Sequence, residues 1–388
     1  MLSLSVKQQR FSLLKLSVIL LGLFMVLAGC TAIAPVEQQP AASQEQAAAE
    51  APAATEAPAM AEEPAAAEEE AASEAPKELF PVKLRLSWLV KGEYAPLFAA
   101  QANGYFEDEG IDIEILEGGA GVKPMQQVAS GDDTFAYIPA TDAIAGVSAG
   151  MDLVTVAVFM QTSPVAIASR AGTQNSGPQD LPGMTVADTG GGTLSTVWDA
   201  FLNYHNIPAN EVDLVITDFG AKQTMLMQGE VDAVSMFATN EVPTVEVTQG
   251  VDLNYWLLAD YGFNMLSQGL VTSRSFLQEH PDVVAGVVRA AQRGAQFMEQ
   301  NPEEAAKIMA AQFPEVLEEQ VVIQQVAELA KLLHTENTQD QPLGWMAEPD
   351  WERTVNLMYD NGAVESRLDN INDYFTNEFV DMSIMSIK

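Results

Sequence analysis

The chain is poor in cysteine, histidine and positive charge, and each shortage removes a class of function. One cysteine in 388 residues has no partner for an intramolecular disulfide, and three scattered histidines do not make a thiolate or imidazole metal cage. Eighteen basic side chains face 54 acidic ones, and a surface that negative repels phosphate backbones, which excludes nucleic acid as a partner. Neither a Ser/His/Asp order nor a Walker-type phosphate loop occurs. Long apolar runs are scarce too. The run from Leu16 to Ala28 has 13 residues, which as a helix rise about 20 Å against a hydrocarbon core of roughly 30 Å.

What is present suits a globular protein: 48% of residues are hydrophobic and 7% aromatic. The charge is unevenly placed. Residues 1–30 carry Lys7, Arg10 and Lys15 and no acid, while residues 31–78 carry 11 Glu against Lys77. The apolar run ends in Leu27-Ala28-Gly29-Cys30, which resembles the bacterial lipoprotein signal, where small residues precede a cysteine that receives lipid before cleavage. Residues 1–29 are therefore expected to be a signal peptide and Cys30 a lipidated anchor; an ordinary secretory signal or membrane anchor is the alternative. Each buried methylene of an acyl chain contributes about 0.8 kcal/mol, so several chains hold a protein at a bilayer.

Residues 31–78 contain 19 Ala, 11 Glu and 6 Pro and no aromatic residue. Irregularly spaced prolines break an Ala/Glu helix, so residues 30–78 read as the lipidated cysteine followed by a disordered, extended tether. The remaining chain is long enough for two lobes.

Alternation with period two marks a strand over Val82–Trp88, and Pro96–Asn103 follows as a helix closed by Gly104. A strand at Ile111–Leu116, a helix around Met125–Ser130 ended by Gly131, and a strand at Thr134–Ile138 continue the pattern. Val154–Met160 and Val165–Ser169 are β-branched runs typical of buried strands. Short connections between alternating strands and helices imply a parallel, doubly wound sheet.

The pattern then recurs. A strand at Met184–Ala187, a glycine turn at Gly190–Gly192 and a helix over Thr193–His205 precede Asp213-Leu214-Val215-Ile216, which echoes Asp112-Ile113-Glu114-Ile115. Likewise Gln228-Gly229-Glu230-Val231-Asp232-Ala233-Val234 echoes Ser130-Gly131-Asp132-Asp133-Thr134-Phe135-Ala136. Two similar lobes are expected: lobe one from residues 79–164 and 270–388, lobe two from 165–269. Val165–Ser169 and Gln268–Thr272 bracket lobe two and, side by side, would form a hinge. The tail is helical. Pro281 opens a helix whose Val284, Val287, Val288, Ala291 and Ala295 form one buried stripe, Pro302 opens another, and helical pattern resumes from Val316 to Leu333.

Taken in order, several segments resemble the solute-binding proteins of bacterial ABC importers, in the branch that includes the yeast thiamine-pyrimidine synthase and bacterial pyrimidine-precursor binders. They are Trp88, the stretch Ala102-Asn103-Gly104-Tyr105-Phe106-Glu107-Asp108-Glu109-Gly110-Ile111-Asp112, Ser130-Gly131-Asp132-Asp133, Gly229-Glu230-Val231-Asp232-Ala233, Asn240-Glu241, Tyr261-Gly262-Phe263-Asn264, and Asn301-Pro302-Glu303-Glu304-Ala305-Ala306. The resemblance implies an α/β fold of the two-lobe, periplasmic-binding-protein type II kind, with a hinged inter-lobe cleft. It also implies a small-molecule ligand, an ABC permease with its ATPase as partners, and a monomer on the extracytoplasmic face of the membrane.

Ligands of open α/β sheets sit at the carboxyl ends of strands, where helix N-termini expose N–H groups. The candidates there are Trp88, Tyr94, Thr141, Gln161, Asn240 and Glu241, with Gly191, Gly192 and Thr193 at a helix start. Trp88 and Tyr94 suit a planar ring, and Glu241 an N–H donor. Lys91 and Lys222 are the nearest bases, and no Arg stands at an expected cleft-facing strand end, whereas sulfonates and phosphates attract a bidentate Arg. A neutral heteroaromatic is therefore expected. Among the ligands that the resemblance implies, riboflavin is the first choice, because Asn, Gln and Thr around the rim suit a polyol side chain; a thiamine pyrimidine precursor is the second and an alkanesulfonate or nitrate the third. The enzyme within the resemblance brings a cysteine-rich motif, and no cysteine follows position 30. Binding without catalysis, and without a cofactor or metal, is the expectation.

Overall fold

A computed structural model describes residues 78–119, 122–190 and 193–387. Cys30, the signal and the tether lie outside the described residues, as do Gly191 and Gly192.

The strands are β1 (Phe80–Leu86), β2 (Ile111–Leu116), β3 (Phe135–Pro139), β4 (Val154–Val158), β5 (Val165–Arg170), β6 (Thr185–Thr189), β7 (Asp213–Thr217), β8 (Ala233–Phe237), β9 (Leu253–Leu257) and β10 (Gln268–Thr272). The first seven helices are α1 (Ala95–Ala102), α2 (Tyr105–Asp108), α3 (Lys123–Ser130), α4 (Ala140–Ser148), α5 (Thr193–Tyr204), α6 (Phe219–Gln228) and α7 (Glu241–Gln249). The last five are α8 (Arg274–Glu279), α9 (Pro281–Gln300), α10 (Pro302–Gln312), α11 (Glu319–Ala330) and α12 (Glu348–Asp360).

Two five-stranded sheets share one topology, β2-β1-β3-β10-β4 in the first and β7-β6-β8-β5-β9 in the second. In each, one strand runs against the others. β10 is antiparallel to β3 and β4, and β5 is antiparallel to β8 and β9. The sheets are therefore mixed, not wholly parallel as the alternation implied. A crossing chain that enters the other sheet as its next strand needs no return helix, so that strand points the opposite way.

The expected hinge is corrected on the same ground. β5 and β10 sit in different sheets, and the segments that run side by side are 159–163 and 264–268. Ser163 N donates to Asn264 Oδ1 at 2.8 Å, Asn264 Nδ2 donates to Gln161 O at 3.2 Å, and Ser267 N donates to Met160 O at 3.0 Å.

The internal echo has a structural meaning. Gly131 and Gly229 each close a helix in the left-handed region, with φ of 81° and 77°, which a residue with a Cβ rarely adopts. The acids that follow tie the turn to the neighbouring strand: Asp133 pairs with Arg85 of β1 at 2.5 Å, and Asp232 accepts from Thr185 N of β6 at 2.8 Å.

α9 buries its valine and alanine stripe against the first sheet's core, together with α1, α10 and α11. At about 25 cal/mol per Å² of apolar surface, burial of this kind is the main stabilising term. Among the described residues no helix is long and apolar enough to cross a membrane.

Candidate functional site

A cavity of about 430 Å³ lies between the two sheets, where the carboxyl ends of β1, β3, β6 and β8 face one another. The antiparallel strands bring their amino ends to the same rim, which is how Val165 of β5 and Gln268 of β10 come to line it. The first sheet contributes Ser87, Trp88, Glu93, Asp142 and Gln268; the second contributes Asp188, Thr189, Phe219, Lys222, Ser235 and Glu241.

On the second side, Lys222 reaches inward from α6 and is only 4% exposed. Its Nζ donates to Ser235 O at 2.7 Å and lies 3.0 Å from Glu241 Oε1. The same ammonium lies 5.2 Å from the centroid of the Phe219 ring. Glu241 is also held within the protein: besides Lys222 it accepts from Phe237 N at 3.1 Å and from Gln223 Nε2 at 3.4 Å. Asp188 accepts from Ser195 N at 3.0 Å and from the hydroxyl of Ser235. Thr189 also lines this wall, and its buried hydroxyl has no partner among the described residues.

On the first side, Glu93 is buried, and loss of water pushes its carboxyl up to about 7, opposed by a hydrogen bond from Tyr94 and by Lys91. Its Oε1 accepts from Gln268 Nε2 at 3.4 Å, and the same Nε2 donates to Ser87 Oγ at 3.1 Å. Burial likewise raises Asp142 to about 6. Trp88 is 42% exposed at the mouth, with its ring available to a ligand.

Of the residues expected from sequence, the cavity gathers Trp88, Thr193, Asn240 and Glu241. It does not gather three others. Tyr94 is wholly buried, with its hydroxyl 2.8 Å from Ser87 Oγ and its ring edge-on to Tyr137, so it belongs to the core. Thr141 stands aside while its neighbour Asp142 lines the wall. Gln161 is spent on the crossing segment, where Nε2 donates to Val158 O at 3.0 Å and Trp345 O at 2.7 Å and Oε1 accepts from Thr338 at 2.5 Å. Sequence reasoning missed Glu93, Asp142, Asp188 and Gln268 as lining groups. The one available signal was an acid next to an already suspected position. Among the described residues, no group of three or more His, Cys, Asp and Glu is placed to hold a metal.

Comparison with known proteins matches residues 91–305 to the family described as NMT1/THI5 like. The riboflavin-binding protein RibY of Chloroflexus aurantiacus is 27% identical over 95% of this chain and 99% of its own length. A formylaminopyrimidine-binding protein of Halalkalibacterium halodurans is 26% identical over 71% of this chain and 84% of its own. Among solved structures, the periplasmic aliphatic sulphonate binding protein SsuA of Escherichia coli superposes with a TM-score of 0.60 at 16% identity, covering 77% of this chain and 98% of its own. That likeness is one of fold, and it agrees with the two-lobe periplasmic-binding-protein architecture.

Proposed function

The chain belongs to the NMT1/THI5-like family, and from that premise we propose that it is the substrate-binding component of an ABC importer, which captures riboflavin and delivers it to the permease. The observation that carries this reading is the cavity itself: it is lined from both sheets, so a single bound molecule touches both lobes. Such a ligand has more contacts in the closed state than in the open one, and that difference drives closure. A cavity of about 430 Å³ falls in the range of small-molecule sites, roughly 300–1,000 Å³. Trp88 and Phe219 offer aromatic faces to a planar ring, and the carboxylates and the Thr189 hydroxyl suit N–H and O–H donors.

The full-length similarity to RibY supports riboflavin. The formylaminopyrimidine-binding relative supports a second reading, a thiamine pyrimidine precursor in the same cleft. An alkanesulfonate or nitrate fits less well, because among the described residues no arginine lines the cavity. The permease and its ATPase as partners, a monomeric state, and anchoring through lipid on Cys30 at the extracytoplasmic face complete the proposal.

Adding the purified protein to riboflavin while following flavin fluorescence tests the reading. Quenching at micromolar or lower concentration supports it. Neither quenching nor a thermal shift would refute riboflavin, and a thermal shift with formylaminopyrimidine instead would select the second reading.

A further inference from the structure

We propose that this cleft rejects anionic ligands, because each helix start that opens onto it already carries a carboxylate of the chain itself. A helix N-terminus concentrates unpaired N–H groups and the positive end of the helix dipole, which makes it a ready anion site. Among the described residues, four helices of eight or more residues start at the cavity: α4, α5, α6 and α7. α4 carries Asp142 in its first turn, and α7 begins at Glu241. At α5 the first-turn amide of Ser195 donates 3.0 Å to Asp188, so that N–H is already spent on an internal anion. α6 is preceded by Asp218 at its N-cap, and Phe219 of its first turn lines the cavity with an apolar ring.

The cation count points the same way. Among the described residues Lys222 is the single basic residue in the lining, against the carboxyl groups of Glu93, Asp142, Asp188 and Glu241. Its charge is held by Glu241 at 3.0 Å and its proton by the Ser235 carbonyl at 2.7 Å. A phosphate or sulfonate entering the closed cleft would lose its water and find no free donor set of matching charge, while facing the carboxylates of Asp188 and Glu241 at short range. An uncharged molecule with N–H and O–H donors faces no such cost, since the same carboxylates accept from it. The site therefore takes the unphosphorylated member of a ligand pair that differs by a phosphoryl group. This specificity rests on the function proposed above, but the charge argument does not depend on which neutral ring is bound.

The test compares riboflavin with riboflavin 5′-phosphate by calorimetry on the full chain at one fixed ionic strength. Binding of the phosphorylated flavin is expected to be weaker by at least about a hundredfold, and Asp142→Asn is expected to narrow that ratio by about tenfold. Equal or tighter binding of the phosphorylated flavin overturns the proposal. If neither flavin binds, the riboflavin assignment fails, and a second arm decides this inference alone. In that arm the chain is heated with millimolar phosphate, nitrate or methanesulfonate at constant ionic strength. No stabilisation is expected, and stabilisation by any of the three overturns the inference. Asp188→Asn disturbs the bond to Ser235, so Asp142→Asn, whose carboxyl makes no hydrogen bond among the described residues, is the primary variant.

Discussion

Gln325 of α11 joins Asn240 of α7 across the two lobes: its Nε2 lies 3.3 Å from both the backbone oxygen and Oδ1 of Asn240. The same side chain accepts from Gly92 N at 2.8 Å, so one buried amide links the helical tail, the first loop and the start of α7. Further along α11, Glu328 accepts from Tyr255 Oη of β9 at 2.9 Å. α11 packs on the core of the first sheet through Val322, Val326 and Leu329 and reaches the second lobe through these two polar residues.

Gln325→Ala is expected to remove the link and leave Gly92 N–H buried without a partner. Each such bond is worth about 1 kcal/mol net, and an unsatisfied buried donor costs about 1–3 kcal/mol. The ligand-free protein should expand in small-angle scattering, with weaker ligand binding; an unchanged radius of gyration would count against α11 as the clamp.

Lys222→Ala should be among the most destabilising single changes in the cleft. It strands Glu241 in a site where both partners are nearly inaccessible, and breaking such a pair from one side costs about 3–5 kcal/mol. Urea denaturation of Lys222→Ala, Glu241→Ala and the double variant should show the double variant losing less than the two singles together. Strict additivity would contradict the pairing.

Glu93 makes stability depend on pH with a definite sign. Its carboxyl is raised from 4.5 to about 7 in the folded protein, so its contribution is fully present below about pH 4.5 and is lost as pH rises through about 7. Glu93→Gln should gain on the wild type across that window, by an amount on the order of 3 kcal/mol at most. Parallel stability curves for the two proteins between these pH values would show that the carboxyl is not held protonated.

Trp88→Ala is expected to weaken binding of a planar ring by about tenfold, in line with an aromatic contact of 0.5–1.5 kcal/mol beyond area burial. With 42% of its surface exposed, Trp88 contributes little to folding, so the melting temperature should stay close to the wild-type value. A large melting shift with unchanged affinity would assign Trp88 to the core instead.

Mass spectrometry of the protein extracted from membranes should find the mature chain starting at Cys30 with acyl chains attached. Cys30→Ala should leave the precursor uncleaved and unacylated. A free thiol on Cys30 in the mature protein would remove the anchor from the proposal.

How far the site could be read from sequence is shown by two adjacent pairs. The expected positions Tyr94 and Thr141 lie at the right helical turns, but the side chains that reach the cavity are their neighbours Glu93 and Asp142. One residue is a turn of about 100° on a helix, so a loop identified correctly still leaves open which neighbour faces the cleft. Tyr94 is turned inward by its hydroxyl contact with Ser87 and its packing against Tyr137, partners that local pattern does not reveal. Gln161 was lost differently. It sits on a crossing segment whose tail partners, Thr338 and Trp345, are more than 170 positions away.

Many strands and helices, though not α4, α7, α12 or β9, followed from the chain alone, because alternation, β-branched runs and helix-ending glycines act over a few residues. The tail stripe and the echo around Gly131 and Gly229 are of that kind. Tertiary structure alone decided strand direction, the crossing segments and the company each charge keeps. Glu93 and Gln268 stand 175 positions apart yet share a hydrogen bond at the cavity wall. Contacts at that separation arise when two sheets exchange strands and close on one another, and the electrostatics of the cleft is the product of that closure.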